Sequence, residues 1–146
     1  MSMSNTAETA LITLLFNNSA WAGVGDAGGL QPSATAGSYY VALHTADPAE
    51  AGTQTTNEIA YTGYARVAVA RSAGGWTVAG NLVSNTAQVQ YGQCTAGSGT
   101  ASHFSIGAAS SGAGQILLKG ALNSALAISN GITPLFAAGV LTATVD

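Results

Sequence analysis

His44 and Asp47 stand three residues apart, with Glu50 three further on, the nearest approach in this chain to an acid–base or metal-binding cluster. A histidine beside carboxylates can move protons or help hold zinc. No second histidine lies close in sequence and no ligand-spacing motif is present, so His44 reads as a structural residue at a strand end. His103 precedes Phe104 on an expected strand and has no acidic neighbour. Cys94 is flanked by the neutral Gln93 and Thr95, which supply nothing to lower a thiol pKa, so it reads as a small residue in a Ser/Gly loop rather than a nucleophile for His103. Asp47, Glu50 and Glu58 lack the dense oxygen spacing of a calcium loop. Gly23-Val24-Gly25 and Gly28-Gly29 neither follow a strand nor open a helix, which excludes a dinucleotide-binding turn. Tyr39, Tyr40, Tyr61, Tyr64 and Tyr91 could form a sugar-stacking platform, but at strand spacing tyrosines more often fill a core with their hydroxyls at its rim. No enzyme activity, cofactor or resident metal is expected.

Composition points the same way. Only nine of 146 residues are charged, six acidic and three basic, or 6%. An ordinary soluble domain carries about 25%. Gly, Ala, Ser, Thr and Asn take the place of charge, giving a surface suited to being covered by copies of itself or by a large partner. A net charge of −3 without a Lys/Arg cluster argues against binding nucleic acid through its phosphates. Hydrophobic residues reach 47% with a mean hydropathy of +0.31, yet no run approaches the roughly 18 apolar residues of a membrane span. The first residues lack a basic region and Thr13 interrupts their apolar run, so no signal peptide is expected. A lone cysteine forms no intrachain disulfide and fits synthesis in a reducing cytoplasm.

The elements that must position these residues are mainly β. One helix is expected at the N-terminus, with Asn5 as cap, Glu8 completing a capping box, and Ala7, Leu11, Leu14 and Leu15 on its apolar face. The Gly/Ala/Ser-rich stretch 23–37 reads as a long loop or arm. About eight short strands follow, including 39–44, 64–71, 76–78, 82–83, 88–91, 103–107 and 140–145. Residues 115–122 and 125–129 are expected as a pair of strands separated by Asn123-Ser124. Strand spacings near 8–12 residues predict a β-sandwich or barrel. The domain organisation is a helix and arm over 1–37 and a β-sandwich over 38–146.

Several strings carry a family resemblance: Tyr40-Val41-Ala42-Leu43-His44-Thr45-Ala46-Asp47-Pro48, then Tyr61-Thr62-Gly63-Tyr64-Ala65-Arg66, His103-Phe104-Ser105-Ile106-Gly107, and Phe136-Ala137-Ala138-Gly139-Val140-Leu141-Thr142. In this order, over nearly the whole chain, they resemble small virion proteins of tailed bacteriophages, known as capsid cement (decoration) proteins and also labelled tail-fibre-like. The resemblance implies a jelly-roll β-sandwich on the outside of an HK97-fold capsid, bridging and stabilising major capsid protein subunits. Low charge suits that role, since little desolvation opposes burial of a broad face, and repeated weak contacts sum over a shell. The elements expected to face the capsid are the helix, the arm and the polar 47–58 loop, with Leu11, Leu15, Trp21, Leu30, Asp47, Glu50 and Glu58 as contact candidates. A homo-oligomer is expected, a twofold dimer in preference, with neither nucleic acid nor membrane as partner. The alternative is a tail-fibre or adhesin domain that binds a host surface glycan or protein.

Overall fold

The computed structural model describes residues 2–145. Its helix, α1 (Asn5–Asn17), starts one residue earlier than the Asn5 cap predicts: the Ser4 hydroxyl accepts the Ala7 N–H at 3.3 Å. Glu8 therefore falls one position beyond the place a capping box requires, and it is buried instead. The buried stripe is also rotated. Glu8, Ile12 and Phe16, each four apart, turn inward, while Leu11, Leu14 and Leu15 are half-buried. What sets the rotation is Phe16, whose ring meets Trp76 edge-on at 5.0 Å between centroids. Asn18 ends the helix in the left-handed region (φ 52°), returning its N–H to the Thr13 carbonyl.

Among the described residues nine strands follow: β1 (Ser38–His44), β2 (Val67–Ala70), β3 (Trp76–Ala79), β4 (Leu82–Asn85), β5 (Val89–Gln90), β6 (Gly99–Gly107), β7 (Ile116–Ile128), β8 (Leu135–Phe136) and β9 (Thr142–Thr144). They form a four-stranded sheet in the order β2-β1-β6-β7, a three-stranded sheet β3-β4-β9 and a two-stranded sheet β5-β8. The pairings β1–β6, β6–β7, β3–β4, β4–β9 and β5–β8 are antiparallel. The chain is thus mainly β with one N-terminal helix, consistent with a β-sandwich, although these pairings do not specify the jelly-roll wiring. Among the described residues no helix is long and apolar enough to cross a membrane.

Two compact units emerge. One comprises the chain up to Ser38, Ala70–Gln88 and the segment from Ala137 onward. In it α1 packs on β3 and β4, with Ile12, Phe16, Trp76, Val83 and Leu141 buried. The helix apolar face is therefore covered by its own chain. The 23–37 stretch is loop throughout but anchored: Trp21 and Leu30 exchange two backbone hydrogen bonds of 2.9 Å, and the Asn18 amide both donates to and accepts from the Ser33 backbone.

The other unit comprises Tyr39–Val69 and Val89–Phe136. Val41, Leu43, Ile59, Ile106 and Ile128 form its aliphatic core. Beside them runs a chain of rings, Tyr61–Tyr64–Tyr91–Phe136–Phe104, with centroids 5.4–6.3 Å apart. The hairpin expected around Asn123-Ser124 does not form. Residues 116–128 are one strand, and Leu122–Ala125 bulge where the partner β6 offers only Ser102 between matched pairs. A bulge on an edge strand accepts the same small polar residues as a turn, which is why the sequence signal misleads.

Candidate assembly surface

All three basic side chains are committed to partners within their own unit. Arg66 makes the densest cluster. Its side chain is 2% exposed, and its guanidinium grips both Glu58 carboxylate oxygens at 2.7 Å, a bidentate fork. It also donates to the carbonyls of Ala109 (2.9 Å) and Gly112 (2.8 Å), so one residue ties the 54–58 segment to the 109–112 turn. The Tyr64 hydroxyl donates to Glu58 at 2.9 Å, and burial there holds the phenol far above its ordinary pKa. Fully buried Gln54 completes the cluster, donating to the Tyr40 carbonyl and accepting from Ala109 N–H. Gly107 and Gly114 leave the space that its amide fills. Arg71 donates to the carbonyls of Leu14, Leu15 and Ala36 and to the Ser33 hydroxyl. That places a cation at the negative end of α1, where it also fastens the arm. Lys119 bonds Asp47 and Glu50 at 3.0 Å each.

The fold does assemble one pair that looks catalytic. Ser105 Oγ lies 2.7 Å from His44 Nε2, and His44 Nδ1 lies 2.8 Å from the Thr56 carbonyl oxygen. A carbonyl only accepts, so Nδ1 carries the proton and Nε2 accepts from the serine. Three features separate this pair from a hydrolytic dyad. A carbonyl stands where an orienting carboxylate would be, both residues have zero exposure, and burial holds the imidazole pKa below its usual value. The pair cross-links β1 and β6 and leaves no room for a substrate. Sequence reasoning missed it because His44 and Ser105 are 61 residues apart.

The other chemical candidates also turn inward or apart. Cys94 is buried, its thiol facing the carbonyls of Ala96 and Gly97. Tyr39, Tyr61 and Tyr91 are buried, so no tyrosine platform is displayed. Glu58 faces Arg66 whereas Asp47 and Glu50 face Lys119, and no group of three potential metal ligands converges among the described residues. Of the contact candidates, Leu11, Leu15 and Trp21 are half-buried, Leu30 is 44% exposed, and the Asp47 and Glu50 side chains reach solvent. Glu58 does not, with its side chain 16% exposed.

What remains outward is sparsely charged, with the Asp26, Asp47 and Glu50 carboxylates exposed, and partly apolar. Val140, Leu135, Leu30, Ile132 and Val24 are the exposed large hydrophobic residues. The most extended feature is β7, an outer strand of the four-stranded sheet, with Leu117, Leu118, Leu122 and Leu126 only half-covered. A depression of about 240 Å³ lies along Ile116–Lys119, bounded by Ala49 and Glu50.

A protein-family model described as podophage GP4 fiber I protein gp80 matches residues 2–144. The chain belongs to this family. A comparison with curated proteins gives no match. As a member of the fiber I protein family it is a structural protein of the phage virion, which agrees with the virion character read from its sequence strings. The fiber I description falls nearer to the tail-fibre label than to capsid cement. Nothing in the family description or in the buried Ser105–His44 pair indicates catalytic activity.

Proposed function

We propose that this chain is a non-catalytic subunit of a podophage fibre, held in the virion by burying sparsely charged surface against neighbouring protein. The observation that carries this reading is the family match over residues 2–144 to a fibre protein. The geometry supports a structural role over receptor binding. All three cations are paired within the chain, three of the five tyrosines are buried and the other two half-buried, and the outward surface is sparsely charged with apolar patches. Such a surface loses little hydration when covered and offers few groups to orient a glycan.

Capsid cement is the second reading, supported by the strings from Tyr40 to Pro48 and from Phe136 to Thr142. In that case the partner is the major capsid protein on the outer face of the head. Quantitative mass spectrometry of purified virions separates the two. A fibre subunit appears at a small multiple of the tail components. A cement protein approaches the abundance of the major capsid protein, and that result would overturn the fibre reading.

A further inference from the structure

We infer that the depression at the start of α1, between Glu8 and the β3–β4 turn, is a socket for one basic side chain of a neighbouring virion protein. This rests on the reading of the chain as a subunit held by contacts with other proteins, and it names one such contact.

Glu8 is the exception among the acidic residues. The other four described ones all have partners. Asp26 accepts from the N–H groups of Gly28 and Gly29, Asp47 and Glu50 bond Lys119, and Glu58 is gripped by Arg66. Among the described residues nothing hydrogen-bonds or ion-pairs with the Glu8 carboxylate, yet Glu8 is the most buried of the five, at 5% exposure. Burying a carboxylate without a partner is costly. The positive end of α1 offsets only part of that cost.

The fold turns this carboxylate toward an opening. Glu8 shares the buried stripe with Ile12 and Phe16, and helical side chains lean toward the helix N-terminus, so its head reaches the end of the packed face. There it lines a depression of about 210 Å³ with Asn5, Gly80 and Asn81. Gly80-Asn81 is the turn joining β3 to β4, the strands on which α1 packs. The turn is braced by Val145, whose N–H donates to the Asn81 carbonyl at 3.0 Å and whose carbonyl accepts from the Asn81 amide nitrogen at 3.1 Å. That commitment leaves the Asn81 side-chain oxygen as its free pole. Several waters fit such a space at about 30 Å³ each, and so does a guanidinium or ammonium head.

The lining selects the occupant. One unmatched negative charge beside amide oxygens is met best by a cation that brings several hydrogen-bond donors. A metal ion is a poor match, because hard cations take about six to eight oxygen ligands and no three potential ligand residues converge among the described residues. A second copy is a poor match too, since its Arg66, Arg71 and Lys119 are already bonded within their own chain. The charge therefore comes from a different protein. Arginine fits best: its planar fork meets a carboxylate with two parallel bonds, and it is more weakly hydrated than lysine.

The test uses the full chain, with N-acetyl-arginine amide as the probe and NMR of the Gly80 and Asn81 amides as the readout. Saturable shifts are expected with this probe and none with the neutral N-acetyl-citrulline amide. Glu8→Gln keeps the shape and removes the charge. It is expected to weaken the probe at least ~tenfold without lowering the urea midpoint, since no partner is lost. Asn5→Lys is the second variant. It tethers an ammonium within reach of Glu8 on the same helix face and is expected to block the probe. In cells infected by the phage and supplied with both forms, wild type is expected to enter virions at least ~tenfold more often than Glu8→Gln. No saturable shift, equal binding of the probe by Glu8→Gln, or calcium chloride saturating the same amides at lower concentration overturns the assignment. Equal entry of the two forms into virions overturns it as well. The fibre reading is decided separately, by abundance and position in the virion.

Discussion

Replacing Arg66 by Met should be among the most damaging single changes to this protein. The substitution keeps the length of the stem and removes the head that grips Glu58. Glu58 is then left as a carboxylate 16% exposed with only the Tyr64 hydroxyl as side-chain partner, and the Ala109 and Gly112 carbonyls lose their donors. Removing one member of a buried ion pair costs about 3–5 kcal/mol because the other charge stays behind. The Gly112 turn is open to water, which limits the extra cost of the carbonyls, so the expected loss is about 4 kcal/mol. At ~2–4 °C per kcal/mol for a chain of this size, that lowers Tm by roughly 8–16 °C. Urea titration of Arg66→Met, Glu58→Leu and the double variant provides the assay. The double variant should lose less than Arg66→Met alone, since it buries no orphaned charge. Lys119→Met, at an exposed pair, should have a far smaller effect. A loss below about 1 kcal/mol for Arg66→Met, or a strictly additive double variant, would refute the reasoning.

Three further outcomes follow from the same geometry. Burial lowers the His44 pKa, so below about pH 6.5 the unfolded chain takes up a proton that the folded chain refuses. Stability should be fully present above that pH and fall by at most ~1.4 kcal/mol per unit as pH drops toward the folded pKa; a urea midpoint unchanged between pH 7.5 and 5.5 would contradict this. Phe16→Ala should cost about 3–5 kcal/mol and shift Trp76 emission to the red, because the ring seals a tryptophan with zero exposure. Arg71→Gln should raise hydrogen-exchange rates over residues 14–36, where its guanidinium holds the helix end and the arm, while rates in β1 and β6 stay as they were.

Much of the fold is legible from local chemistry. The strands around Val41–Leu43, Trp76–Val78 and Phe104–Ile106 follow from β-branched and aromatic runs bounded by Gly, Pro and Asp. The helix is equally plain, but its buried face is not. Leucines at 11, 14 and 15 compete with Ile12 and Phe16, and only the presence of Trp76 decides between them. Asn123-Ser124 reads as a break between two strands where β7 is continuous, because a bulge and a turn favour the same residues. The interior polar groups were the least legible. Glu58 reads as a contact candidate in the polar 47–58 loop and Arg66 as one residue of the 64–71 strand, and nothing local says that they close on each other. His44 and Ser105 meet only through the β1–β6 register, which pairs Ala42 with Ser105 and His44 with His103. Scarcity of charge was the better guide. A chain with three cations can pair each within itself and keep a sparsely charged exterior, as this one does.

The central claim, that the chain is a fibre subunit of the virion, is tested most directly by cryo-electron microscopy of virions carrying an epitope-tagged copy decorated with antibody. The account predicts label confined to fibres projecting from the particle, in numbers set by the symmetry of their attachment. Label spread over the capsid lattice at capsomer junctions would contradict it and establish the protein as a decoration of the head.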